Sequence, residues 1–226
     1  MNLRIKLLKV SQPQQSEFDS RLLATKSKFP LVIGTHNRKK GAELAELLTP
    51  LGFSVLTLDD FPNALEVVED GDTFAANAAL KATQQARHLS HWVLADDSGL
   101  VVDALGGAPG VYSARFAGPK ATDEDNNRRL VGDLGNTTLE KRTAHYVCHV
   151  TVADPTGAVR AESEDVCRGR IGFKAAGQNG FGYDPLFEVV EYHRTFGELG
   201  SHVKQAISHR SRALRTIVAK LNALAI

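Results

Sequence analysis

The hydrophobic pattern of the chain changes period several times. Leu31-Val32-Ile33 is an unbroken apolar run closed by Gly34, which predicts a short buried strand. Thr35, His36 and Asn37 then offer helix caps, and Leu44, Leu47, Leu48 and Leu51 recur at helical spacing, so a helix is expected over 38–48. Residues 53–58 read as a second strand, and residues 59–72 form an acidic loop. Thr73 can cap an alanine-rich helix over 74–87, and Trp92-Val93-Leu94-Ala95 is a third strand. Strand and helix alternate, which predicts an α/β layered fold.

The second half breaks that alternation. The run from Gly106 to Gly110 forces a bend, with Tyr112, Ser113 and Arg115 following at the same rim, and a helix is expected over 123–134 with Thr122 as its cap. Residues 144–153 and 158–167 flank the turn Asp154-Pro155-Thr156-Gly157 and read as an antiparallel hairpin. A hairpin inside an α/β chain implies a mixed sheet or a small second lobe, and hence a cleft between lobes. Residues 169–184 are glycine-rich and aromatic; Ser208 caps a final helix carried by Leu214, Ile217, Val218, Leu221 and Leu224.

Composition narrows the class without naming a chemistry. The 226 residues are 42% hydrophobic and 23% charged, ordinary values for one substantial core. Lysine and arginine number 27 against 26 aspartates and glutamates, a net charge of +1, so no basic nucleic-acid surface and no stable nucleic-acid partner is expected. No apolar run reaches the roughly 18 residues of a membrane span, and no clear signal sequence is present, so no membrane partner and a cytoplasmic location are expected. Cys148 and Cys167 are read as reduced thiols. Residues 1–30 are set apart as an N-terminal extension, and 31–226 as a single two-lobed domain.

The chemistry concentrates at Asp96-Asp97-Ser98-Gly99-Leu100, where the third strand is read as ending in two carboxylates at a sheet edge. Adjacent carboxylates repel, and a divalent cation or a shared proton offsets the repulsion. The same five residues also suit an Asp-rich turn. Glu69 lies just before the second helix, within reach of that edge if the helix packs on the same sheet. Backbone amides near Asn37 can hold an anion beside Lys40. Phe181 in its glycine loop can stack on a base, and Lys204 and the His209-Arg210 pair suit an anion or a base carbonyl. A Gly-x-Ser-x-Gly elbow, a His-Glu-x-x-His motif and a Gly-x-x-x-x-Gly-Lys loop are all absent. Acids, cations and an aromatic platform together fit a magnesium-bound nucleoside phosphate.

The ordered pieces 35–40, 69–74, 96–100, 106–110, 181–185 and 208–210 resemble the noncanonical purine nucleoside triphosphate pyrophosphatases, or inosine triphosphate pyrophosphatases of the Ham1/RdgB-like family, across residues 31–222. The resemblance implies an elongated mixed α/β sheet with flanking helices and two lobes around a central nucleotide cleft, a homodimer, and Mg2+ as cofactor. It implies hydrolysis of ITP, dITP and XTP to the monophosphate and pyrophosphate, which cleanses the nucleotide pool. Asp97 matches the general base, and Glu69, Asp96 and Asp97 match the acids that hold metal and position water. Thr35, His36, Asn37, Arg38, Lys39 and Lys40 match the triphosphate turn, and Ser98 matches a substrate contact. Phe181 matches the stacking ring, with Gly182, Tyr183 and Asp184 completing its loop, while Lys204, His209 and Arg210 match contacts to base and phosphate. Arg210, Lys204 or a backbone N–H is then the donor that reads the purine O6.

One position departs from the family pattern. Ala76 stands before Asn77-Ala78 where a glutamate is common, which removes an acid near the cleft. Two rival readings use the same residues: a pyrophosphatase for another modified nucleotide, such as a pyrimidine triphosphate, and a nucleotide sensor or RNA-binding protein stacking on Phe181.

Overall fold

The structure, a computed structural model, describes residues 30–223, so the expected extension lies outside the described residues apart from Pro30. Strand β1 (Leu31–Ile33) leads into helix α1 (Arg38–Leu48), whose Asn37 cap accepts from the backbone of Lys39 and Lys40. Then come β2 (Val55–Thr57), α2 (Phe74–Leu89) and β3 (Trp92–Val102). The caps anticipated at Thr73 and Thr122 are both present, the latter as a reciprocal capping box with Asp125 at the start of α3 (Asp123–Leu134).

The long hairpin β4 (Thr143–Ala153) and β5 (Val159–Ile171) is followed by β6 (Phe187–Val189) and β7 (Arg194–Thr195), two short strands that carry no pattern of their own. The last helical stretch is two helices, α4 (Ser201–Ile207) and α5 (His209–Ala223), broken at the extended backbone of Ser208.

The seven strands of the described residues form one mixed sheet in the order β2-β1-β3-β4-β5-β6-β7. β1 runs parallel to β2 and β3, while β3 pairs antiparallel with β4 from Val93↔Ala153 to Val102↔Ala144. The strand expected to stop at Ala95 therefore continues through the two aspartates, which lie inside a central strand and not at a sheet edge. β4 supplies the reason, because it completes the ladder past the point where β1 has ended at Ile33. On the flank β1 leaves open, the 3-10 segment Gly110–Arg115 docks through Ser113 Oγ, which accepts from the Leu100 amide at 2.8 Å. A side chain at Gly99 would meet Gly110 O and Ser113 Oγ at 2.5 Å, so glycine there permits this approach.

Alternation along β3 sorts its side chains between two faces. Val93 and Ala95 join the core under α2, with Ala82, Ala86 and Leu89. Leu94 joins a second core under α1 and α5, with Leu44, Leu48, Leu214 and Ile217. Leu100 and Val102 join a third, with Leu130, Tyr146, Phe187 and Phe196. Asp96 and Ser98 fall between Leu94 and Leu100, so a polar seam separates two apolar cores on the same face, and the cleft opens at that seam. Among the described residues no helix is long and apolar enough to cross a membrane.

Candidate active site

Asp96 and Asp97 are neighbours whose side chains leave β3 on opposite faces. Asp96 is fully buried, with Lys40 Nζ at 3.7 Å, Arg210 Nε at 3.4 Å and Ser98 Oγ at 3.1 Å from its Oδ2. Burial alone would raise its carboxyl, but Lys40, Arg210 and Lys81 outweigh burial and hold it well below the usual range. Asp97 faces α2, where Asn77 Nδ2 donates at 3.3 Å to Oδ2 and Lys81 Nζ lies 3.2 Å from Oδ1. Here burial prevails, with Glu69 and Asp96 adding to it against Lys81 and Lys40, and the carboxyl is raised. A raised carboxyl is a better proton acceptor at neutral pH than an ordinary one.

Lys81 was not singled out from the sequence. Its Nζ also donates to Glu69 Oε2 at 2.8 Å, so one ammonium joins the two acids. Burial would lower Lys81, yet Asp97, Asp96 and Glu69 raise it, and it stays charged. The signal was available: Asn77, Lys81 and Gln85 repeat every fourth residue beside Ala78, Ala82 and Ala86, a buried polar stripe on an apolar helix face. That stripe holds the acidic loop in place. Asn77 Oδ1 accepts from the Gly71 amide at 2.9 Å, and Gln85 exchanges two hydrogen bonds with the Leu65 backbone.

The base side is assembled from three elements. Asp184 Oδ2 accepts from the Phe181 amide at 2.8 Å and from Lys204 Nζ at 2.7 Å, and a Cβ at Gly180 would strike that carboxylate at 2.0 Å. Tyr183 Oη donates to Ser113 O at 2.8 Å and fastens the loop to the 3-10 segment. The Phe181 ring has Lys204 Nζ at 4.7 Å, Lys39 Nζ at 5.7 Å and the Arg210 guanidinium at 5.9 Å from its centre. Glu43, also not anticipated, holds Lys204 at 2.7 Å and pairs with Arg210. Buried His209 stacks on Tyr146, and burial, with Arg210 and Lys204 nearby, keeps it neutral by pushing it well below its ordinary value.

Two cavities meet at Asn37, Lys40 and Ser98, which line both. The smaller, about 100 Å3, collects Phe181, Gly182, Tyr183, Asp184, Lys204, His209 and Arg210. The larger, about 260 Å3, collects Thr35, His36, Glu69 and Asp97 together with Lys81. Three anticipated residues line neither. Arg38 is solvent-facing and pairs with Asp59 at 3.5 Å, Lys39 pairs with Asp123 at 3.0 Å, and Asp96 sits behind the wall. Asp123 also accepts from the Gly182 amide at 3.0 Å, so it ties the start of α1 to the aromatic loop.

The chain as a whole has counterparts among known proteins. The model of the Ham1 family matches residues 31–220. The chain belongs to the Ham1 family. It is 54% identical over 193 residues to a dITP/XTP pyrophosphatase of Rhodopirellula baltica, covering 85% of this chain and 93% of that protein. A dITP/XTP pyrophosphatase of Exiguobacterium sp. is 53% identical over 194 residues, 84% of this chain and 96% of the relative. Among solved structures, the Ham1 protein of Staphylococcus aureus superposes with a TM-score of 0.76 at 36% identity, covering 86% of this chain and 98% of that one. A HAM1 protein from Coxiella burnetii gives 0.78 at 36% identity, with 86% and 99% covered.

The donor set of this Ham1-family cleft suits a hard cation. Among the described residues no three His, Cys, Asp or Glu side chains converge into a preformed metal cage. Magnesium does not need one, since it keeps waters and takes one or two carboxylates plus phosphate oxygens. Asp96 Oδ1 is buried without a hydrogen-bond partner, and Glu69 and Asp97 already share one positive charge on Lys81. Ala76, which lines neither cavity, leaves the space beside Gly71 filled by its methyl group, 2.7 Å from where a Gly71 Cβ would lie.

Proposed function

We propose that this protein hydrolyses deaminated purine nucleoside triphosphates, ITP, dITP and XTP, to the nucleoside monophosphate and pyrophosphate. One observation carries the reading: an aromatic, cation-rich cavity and an acid-lined cavity share the wall formed by Asn37, Lys40 and Ser98. A base laid on Phe181 then directs its phosphate chain past that wall toward Glu69 and Asp97. The printed names of the relatives, dITP/XTP pyrophosphatases, support the same substrate class.

Asp97 is the general base in this scheme. It accepts a proton from water as the water oxygen bonds to the α-phosphorus and the α–β bridging bond breaks, releasing pyrophosphate. Lys81 holds the Asp97 carboxylate in place, and Lys40 offsets charge growing on the phosphoryl oxygens. Glu69 and Asp97, which line the larger cavity, would hold Mg2+, which when bound neutralises phosphate charge, whereas Asp96, enclosed on the other face of β3, positions Lys40 and Arg210. On the base side, Arg210 and Lys204 are presented by Glu43 as donors for O6, and an adenine amino group would leave such a donor unpaired. Neutral His209 adds no charge that would favour an anionic base.

The test is magnesium-dependent product release from equal concentrations of ITP, XTP, GTP, ATP and CTP, with both products identified. IMP, XMP and pyrophosphate with little AMP are the expected result. Orthophosphate release, preferred turnover of CTP, or tight nucleotide binding without turnover would overturn the reading.

A further inference from the structure

Among the described residues, one cation lining the acid-lined cavity has no carboxylate partner. Arg38 pairs with Asp59, Lys39 with Asp123, Lys40 with Asp96, Lys81 with Glu69 and Asp97, and Lys204 and Arg210 with Glu43. Arg115 also lines the larger cavity, its side chain is exposed, and among the described residues no carboxylate pairs with it. Its guanidinium lies instead over the Tyr112 ring, 5.2 Å from the centre, a contact that leaves its N–H donors free.

The backbone beneath Arg115 is fixed in place. Ser113 Oγ donates to Gly110 O at 2.6 Å and accepts from Leu100, Asn126 Nδ2 donates to Ala114 O at 3.2 Å, and Tyr183 holds Ser113 O. Arg115 lines only the cavity that lacks Phe181, whereas Ala114 just before it lines both. A nucleotide stacked on Phe181 extends its phosphate chain past the shared wall into the cavity that Arg115 lines.

We infer that Arg115 is a phosphate-binding residue of this site that takes the β- and γ-phosphates, the part that leaves as pyrophosphate. The inference rests on the pyrophosphatase reading of the cleft. A planar guanidinium with two free edges suits the paired oxygens of a diphosphate, and on cleavage the leaving group gains negative charge beside it. The fixed backbone and the flexible side chain together let Arg115 close on the anion without any rearrangement of the sheet.

Calorimetric titration of magnesium pyrophosphate, and separately of IMP, into the full chain and its Arg115→Ala and Arg115→Lys variants tests this. Loss of a charge-assisted contact predicts about tenfold to a hundredfold weaker pyrophosphate binding in Arg115→Ala, with IMP affinity unchanged and Arg115→Lys in between. Retained IMP affinity also shows that the variant is folded. Pyrophosphate bound equally by wild type and Arg115→Ala, bound by neither, or lost together with IMP would overturn the assignment. A failure of the function reading shows separately, as absent pyrophosphate release from every nucleotide by the wild type, because the titration uses no turnover.

Discussion

Lys81 Nζ lies 3.2 Å from Asp97 Oδ1, so the carboxylate placed to take a proton from water is paired with a buried lysine that is itself shared with Glu69. An opposite charge at this distance favours the ionised carboxylate and works against burial. Replacing Lys81 with methionine keeps the length of the side chain and removes the charge. Asp97 is expected to titrate at still higher pH, and the acid limb of kcat/KM to move up by about one unit or more. A pH–rate profile measured with saturating Mg2+ checks this; an unmoved limb would separate Lys81 from the base.

Asp97→Asn removes the base while keeping the shape. Turnover is expected to fall by about 10^2 to 10^4, the usual worth of a general base. Two opposing effects set its stability. A carboxyl raised in the folded state stabilises the fold fully only below its unfolded value, about 3.9, and that contribution is lost as pH rises through the folded value. At pH 7 the ionised Asp97 therefore carries a burial cost, but the asparagine variant also leaves buried Lys81 with Glu69 as its one remaining acid partner among the described residues. The two effects oppose, and the melting temperature should shift less than for Asp96→Asn. A fully active variant would remove Asp97 from the chemistry.

Much of this site could be read from residue types in order, because strand β1, helix α1 and the capped helices α2 and α3 are set by local periodicity and caps. The end of β3 was misread because Asp-Asp-Ser-Gly has turn chemistry locally, and only pairing with β4 fifty residues away makes it strand. Lys81 was missed because lysine in an alanine-rich helix ordinarily faces water. Glu43 and Asp123 act across the cleft on Arg210 and on Gly182, contacts between distant segments that no local pattern announces. Strands β6 and β7 and helix α4 are too short to carry a period.

Asp96 is expected to matter to the fold as much as to the chemistry. It is the fully buried anion between Lys40 and Arg210, and Asp96→Asn leaves Lys40 without its carboxylate. Breaking a buried pair by removing one partner costs about 3–5 kcal/mol, which should appear as a lower urea midpoint at pH 7. Its depressed carboxyl stabilises the fold above the unfolded value near 3.9 and loses that contribution as pH falls through the folded value. The gap between wild type and variant should therefore narrow only at strongly acid pH. Equal midpoints at pH 7 would mean that Lys40 and Arg210 are held by other groups.

Phe181 offers the clearest separation of base binding from phosphate binding. Its ring lines the smaller cavity, while Glu69, Asp97 and Lys81 line only the larger. Stacking on an aromatic ring contributes about 1–3 kcal/mol per base, so Phe181→Ala should raise KM for ITP by roughly five- to a hundredfold. Inorganic tripolyphosphate has no base to stack, and its affinity should change little. The Phe181 ring also lies beside Lys204, with the ammonium 4.7 Å from its centre, and Phe181→Leu keeps apolar bulk there while removing the π-face. If stacking is the contribution, leucine and alanine variants should lose ITP affinity alike. If leucine restores it, the ring acts by packing against Lys204, and the base must be held by His209, Arg210 and Lys204 instead.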